Sequence, residues 1–326
     1  MTKSALIIRF NAIGDIVLTS PVIDALFDNG YEVHYLVKSS FKDVLVHDKK
    51  VKTIWSLDDS LEEVIGQLKN VSFSVIIDLH NNLRSRKVKS ALKTKTLTLV
   101  KKRWQLWKLT QTPFKSYQET HIVRRFLDVI TPLGIVVDNP QTRYALDGVS
   151  LPSDLLIPRE PYLVIAVGAA WETKRIPKET LLHLCENTAA SHVMLIGSQQ
   201  DQSLAQYLKT NAKRDTIDLT GSLTISQSAL VISQAKVLVS GDTGPLHIAA
   251  ALRIPVVGVY GSTHPALGYT PYYGTVGVPH HVIQNENLSC RPCTKQGKRQ
   301  CPKGHFKCML ELDKTEIVDK VNSYFE

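Results

Sequence analysis

Apolar positions along the 326-residue chain alternate between two spacings. Short, nearly unbroken apolar runs at 5–10, 33–37, 53–55 and 75–79 predict strands. Between them, amphipathic stretches over 16–28 and 61–68 predict helices, the first ended by Asn29-Gly30, a pair suited to a left-handed C-cap. After a connector carrying Pro152, Pro158 and Pro161 the pattern restarts. Strands are predicted at 162–167, 192–196, 237–240 and 256–260, and helices over 178–190, 204–211, 226–234, 245–252 and 314–325. Strands alternating with helices predict mostly parallel, doubly wound sheets. The restart predicts an α/β protein of two Rossmann-like domains, 1–157 and 158–326, facing across a cleft where the carboxyl ends of such strands bind ligands. The last helix is placed to cross back onto the first domain.

Composition narrows the class. With 43% hydrophobic and 21% charged residues the chain is that of a soluble globular protein. No apolar run approaches the roughly 18 to 20 residues that span a bilayer. The first strand runs into polar Asn11 and acidic Asp15, unlike a signal peptide, so a cytoplasmic protein is expected. Net charge is +9, yet the segment 81–125 alone holds thirteen Lys/Arg against one acid, Glu119. That local excess predicts a polyanion-binding surface: nucleic acid, anionic lipid or a phosphorylated glycolipid. Trp104 and Trp107 among these cations favour a membrane interface. A solvated lysine surface is the plain alternative.

Four loops carry the candidate chemistry. In Arg9-Phe-Asn-Ala-Ile-Gly-Asp15, Gly14 permits a tight turn and Asp15 falls at a helix N-terminus. A carboxylate there caps the helix, and the dipole that holds it ionised also suits a general base. Gly168-Ala-Ala-Trp-Glu-Thr-Lys-Arg-Ile-Pro177 puts Lys174 and Arg175 at the top of the second sheet, where they can neutralise a diphosphate. Ser240-Gly-Asp-Thr-Gly-Pro-Leu-His-Ile-Ala-Ala-Ala251 joins a strand to a helix whose first N–H groups form an anion site. Packing explains its alanines but not Asp242, Thr243 and His247. In Gly197-Ser-Gln-Gln-Asp201 an acid follows a strand, as ribose-binding acids do in Rossmann domains.

These motifs resemble glycosyltransferase family 9, the heptosyltransferases. Arg9, Gly14-Asp15 and Thr19-Ser-Pro21 are similar to the family's opening, as is Asp78-Leu-His-Asn-Asn-Leu-Arg-Ser85 after the fourth strand. The block 241–250 with Gly258-Val-Tyr-Gly-Ser-Thr263 resembles its donor-site signature, and Cys290-Arg-Pro-Cys293, Cys301 and Cys308 resemble the tail of heptosyltransferase II-like members. The resemblance implies a glycosyltransferase-B fold and inverting, metal-independent transfer from ADP-heptose to a lipopolysaccharide inner-core acceptor, with no cofactor. It implies Asp15 as base, Lys174 on the donor phosphates, Asp242, Thr243, Gly244 and His247 around the donor, and Asp201 on the ribose. Arg84, Lys101, Lys102 and Arg103 would line the acceptor and membrane side. One departure is Ile176, where members usually carry Trp in Lys-x-Trp-Pro.

Four late cysteines, Cys290, Cys293, Cys301 and Cys308, have the residue type of a zinc site but irregular spacing, with His305 a further ligand type. Zinc, reduced thiols and a disulfide are the three readings; no metal is assigned. A nucleic-acid-binding protein with a C-terminal zinc knuckle would use the basic segment but leaves Asp15 and the Asp242–His247 block unexplained. A nucleotide-sugar 2-epimerase would share the architecture, since fold alone does not decide chemistry. A catalytically silent scaffold is disfavoured because every candidate position is filled.

Overall fold

The computed structural model describes residues 3–58, 60–101 and 119–326, and they divide into two units. The first comprises residues up to 101 together with 120–148; the second comprises Glu119 and Val149–Glu326. The division therefore falls between Gly148 and Val149, nine residues ahead of the expected 157/158 boundary.

In the first unit, β1 (Lys3–Ile8), β2 (Tyr31–Lys38), β3 (Val51–Leu57), β4 (Val75–Asp78) and β5 (Thr96–Thr98) form a parallel sheet in the order β3-β2-β1-β4-β5. Strand order reverses between β1 and β4, so the chain leaving β1 and the chain leaving β4 emerge side by side. Helix α1 (Ile13–Val17) follows β1, then α2 (Ser20–Asp28) leads to β2. The single helix expected over 16–28 is thus two. Pro21 has no N–H to continue a helix but fits a first turn, and the Thr19 and Ser20 hydroxyls donate back to the Ile16 and Val17 carbonyls at the break. Helix α3 (Leu61–Leu68) matches its expected span and is capped by Ser60, which accepts from the Glu63 N–H. Helices α4 (Leu83–Leu92) and α5 (Ile122–Leu127) complete the unit. Leu6, Ile8, Leu36 and Ile76 from the strands meet Val64, Leu68 and Val88 from the helices in one core.

The second unit repeats the design with β6 (Tyr162–Ala166), β7 (His192–Ile196), β8 (Thr216–Asp218), β9 (Val237–Gly241), β10 (Val256–Tyr260) and β11 (His280–Gln284). They are parallel and ordered β11-β10-β9-β6-β7-β8. Its helices are α6 (Lys178–Asn187), α7 (Gln202–Asn211), α8 (Ile225–Ser233), α9 (Gly244–Ala251), α10 (Lys307–Leu310) and α11 (Lys314–Asn322). The closing helix α11 packs on α6 within its own unit. Its Asn322 accepts from the Ala189 N–H and donates to the Asn187 carbonyl, and Ile317, Val318 and Val321 join the core.

Candidate active site

At the switch between β1 and β4, four residues form one connected group. Arg9 is buried, and its guanidinium donates to the Asn11 carbonyl at 2.8 Å and the Leu79 carbonyl at 2.8 Å and pairs with Asp15 Oδ2 at 2.5 Å. Asp15 is therefore fixed by one oxygen, while its Oδ1 is buried with no hydrogen-bond partner among the described residues. Its helix α1 is one turn and a half long, so the carboxylate is held by Arg9 more than by a dipole. Across the register, Asp78 is wholly buried. Its Oδ1 accepts from the His80 and Asn81 N–H groups at 3.0 and 2.7 Å, and its Oδ2 accepts from Ser85 Oγ and Lys89 Nζ at 2.8 and 2.7 Å. That carboxylate builds the turn into α4, where Asn81 takes a left-handed φ of 49° and Asn82 with Ser85 makes a capping box. The turn sets His80 edge-on to Phe10, ring centroids 5.1 Å apart.

Of the residues expected on the acceptor side, Arg84 is exposed on the first turn of α4, together with Arg86 and Lys87. Lys101 is partly buried, and its charge bears on His80. Lys102 and Arg103, with Trp104 and Trp107, lie outside the described residues.

The second unit brings Lys174, Asp242 and His247 together. Lys174, on a 3-10 turn over Glu172–Lys174, reaches Asp242 twice: Nζ to Oδ2 at 2.8 Å and Nζ to the backbone carbonyl at 2.8 Å. Burial alone would raise the Asp242 carboxyl, but the Lys174 ammonium, then His247, hold it below its ordinary value. Thr243 starts α9 without capping it, its hydroxyl instead meeting Ser240 Oγ at 2.9 Å, and Gly244 is the first helical residue. Gly241 has to be glycine: a Cβ there would come within 2.4 Å of the Lys174 carbonyl. Asp201 is buried, with Oδ2 accepting from the Ser198 N–H and hydroxyl at 2.8 and 2.6 Å and Oδ1 paired to Arg175 at 2.8 Å. Its carboxylate is thus already shared between a helix start and the Lys174 loop.

Ile176 points into the core beside Leu181 and Val239, so the aromatic surface lost from that position is replaced by packing. The aromatic ring of this loop is Trp171, which stays 37% exposed and rests against Gly297. The cysteine-rich segment is the back wall of the loop. The Thr173 hydroxyl accepts from Lys298 N–H and Ser262 Oγ, both at 2.8 Å, and Cys293 N–H donates to the Ser262 carbonyl. Buried Arg291 gathers the carbonyls of Tyr260, Gly261, Thr263 and Asn285. Cys290, Cys293, Cys301 and Cys308 are free thiols, and among the described residues no group of three or more His, Cys, Asp or Glu is drawn together as metal ligands. Burial raises the Cys293 thiol and pushes Cys308 up to about 12, which keeps both protonated.

Sequence reasoning passed over His80, Arg9 as the clamp on Asp15, and the Lys174–Asp242 pair. The first two sat inside quoted motifs, and only the β1/β4 adjacency brings them together; the third needed the Lys174 loop to meet the end of β9.

Two parallel Rossmann-type units, with a basic loop and a glycine-opened helix start at the strand ends of the second, are the architecture of a glycosyltransferase of the B fold. The chain belongs to glycosyltransferase family 9 (heptosyltransferase), whose profile matches residues 62–306. Among curated relatives, the lipooligosaccharide heptosyltransferase 2 of Haemophilus ducreyi is 28% identical over 136 residues, 40% of this chain and 37% of that protein. The chain thus spans well under half the length of that relative. The lipooligosaccharide heptosyltransferase 2 of Campylobacter jejuni serotype O:2 is 22% identical over 95% of both chains. The fold is that of the E. coli ADP-heptose lps heptosyltransferase II, with a TM-score of 0.73, 16% identity and 98% of each chain covered.

Proposed function

We propose that this protein transfers heptose from ADP-heptose to a lipopolysaccharide inner-core acceptor, with inversion and without a metal. The family match carries the reading, because residues 62–306 include Lys174, Asp201 and the whole Asp242–His247 block. Asp15 lies ahead of that match, and its assignment as base rests on its position: one oxygen clamped by Arg9, the other buried and unpartnered at the end of β1. In this reading an acceptor oxygen bonds to the anomeric carbon, its proton passes to Asp15, and the broken C–O pair leaves with ADP. Lys174 and the N–H groups at Gly244 would carry the charge building on the diphosphate, the electrostatic task that a metal performs in other transferases. Asp242 keeps the Lys174 ammonium in place, and His247 and Thr243 line the same edge. For Asp201 the reading narrows to holding Arg175 and the loop, with any ribose contact made alongside those bonds.

The acceptor and membrane side is assigned to the first unit, in a cytoplasmic protein resting on an anionic membrane. No helix of the described residues is long and apolar enough to cross a membrane. What supports a peripheral contact is the surface of α4. Exposed Arg84, Arg86 and Lys87 sit with Leu83, and Val100 follows β5; Leu83 and Val100 are 76% and 75% exposed. The Asn81 side chain bonds the Leu99 carbonyl, tying the two segments to one edge.

The test is calorimetry across ADP-, UDP-, GDP- and TDP-sugars, followed by transfer to a heptose-deficient core acceptor. Selective ADP-sugar binding is expected, with Asp15→Asn binding donor normally and failing to transfer. Near-normal turnover by Asp15→Asn would reduce Asp15 to a structural residue.

A further inference from the structure

His80 is a titratable residue at the first unit's strand edge that the proposed mechanism does not use. Its backbone is pinned by the Asp78 carboxylate, which accepts its N–H at 3.0 Å, and its ring is set against Phe10. Arg9 bridges the Leu79 carbonyl and Asp15, so the residue just before His80 is tied to the proposed base. Two buried polar atoms in this group, Asp15 Oδ1 and His80 Nδ1, have no hydrogen-bond partner among the described residues. Leaving a buried polar atom unpaired is costly. Each of the two atoms has a hydrogen bond left to make, which a bound ligand can supply.

The charge state says what that ligand meets. The charged groups bearing on His80 are Arg9, Lys101, Asp15 and Asp78. Burial, then Arg9 and Lys101, bring its pKa down to about 4 against the opposing pull of Asp15 and Asp78. At neutral pH the ring is uncharged, so it does not neutralise Asp15. It offers a directed hydrogen bond. The ring is half-buried.

We propose that His80 is a second acceptor-binding residue, holding the nucleophilic hydroxyl through Nδ1 so that its proton points at Asp15 Oδ1. The proposal rests on the reading of Asp15 as base. A hydroxyl has one donor and two acceptor sites, which complement a carboxylate oxygen and a ring N–H. In the transfer step the hydroxyl proton passes to Asp15, the oxygen bonds to the anomeric carbon, and His80 keeps its own proton throughout.

The experiment compares His80→Asn, His80→Gln and His80→Ala by steady-state kinetics with varied acceptor and by ADP-sugar calorimetry. Asn places an N–H near the Nδ1 position and Gln near Nε2. Ala and Gln are expected to lower acceptor kcat/KM about tenfold or more, Asn to recover most of it, and donor affinity to stay within about twofold. In the wild type, ¹⁵N-histidine NMR is expected to show the His80 Nδ1 resonance moving when acceptor is added, a readout independent of variant folding. Gln matching wild type, donor affinity falling in step with turnover, or an unmoved Nδ1 resonance would each overturn the proposal. A fully active Asp15→Asn overturns the underlying reading and this one with it, whereas a silent His80 series beside a dead Asp15→Asn overturns this one alone.

Discussion

Replacing Lys174 by Met tests the buried ion pair at the strand ends of the second unit. Asp242 and Lys174 have side chains only 9% and 15% exposed, and the ammonium meets both the carboxylate and the carbonyl of Asp242. Removing the cation strands a buried carboxylate, a loss of about 3–5 kcal/mol. Asp242→Asn is milder, because Nζ retains the backbone carbonyl at 2.8 Å. The double variant leaves no stranded charge and is expected to be more stable than Lys174→Met alone. The pH dependence has a definite sign. In wild type the Asp242 carboxyl sits below 3.8, so its contribution is lost only as pH falls through still lower values. In Lys174→Met the largest counterweight to burial is gone, leaving His247 and Thr263 to oppose it, and the carboxyl rises. Stability is then present at low pH and lost as pH climbs, so the deficit is largest near about pH 7 and shrinks toward about pH 5. Urea unfolding of the four proteins at both pH values measures this directly. Equal deficits at both pH values, or a double variant as unstable as the sum of the singles, would refute the pairing.

Gly241→Ala is expected to cost about 1–3 kcal/mol and weaken ADP-sugar binding, since its Cβ would strike the Lys174 carbonyl at 2.4 Å; calorimetry reads both loop and donor. Stability of wild type is expected to fall as pH drops from 6.5 toward about 4, because the unfolded chain takes up the His80 proton first, and His80→Asn should flatten that slope in thermal melts. Reversing Arg84, Arg86 and Lys87 to Glu is expected to reduce binding to anionic vesicles at low salt while leaving donor affinity unchanged; each cation near such a surface contributes about 1 kcal/mol. Vesicle sedimentation equal to wild type would leave that face merely solvated.

Where burial dictated the sequence, the elements were readable from it. Residues 61–68, 192–196 and 256–260 were placed with the observed bounds because core strands and one-sided helices leave an unambiguous apolar period. Helix α4 was hidden: Leu83 is exposed, only Ser85 and Val88 are buried, and its Arg and Lys read as a charge run. Strand β11 was missed for a like reason, since as an edge strand it buries only Ile283. The candidate site was legible as separate motifs, because glycines and helix-start acids are local signals. Partnerships such as Arg9–Asp15–His80 depend on strand order, which no local pattern encodes.

Arg291 carries a consequence for how the Lys174 loop endures. Its guanidinium sits at the centre of carbonyl oxygens from the end of β10 and from Asn285, as a coordinated cation would. Unlike an ion, it is tethered by the chain and is not lost to dilution or a chelator. Burial lowers its pKa, yet a guanidinium titrates far above neutrality, so the charge is permanent. A lysine has three N–H donors on one nitrogen and cannot span acceptors spread over that fan. The segment behind Thr173 and Lys174 therefore behaves as an internal keystone: trimming it as a surface appendage would loosen the loop that holds Lys174 against Asp242.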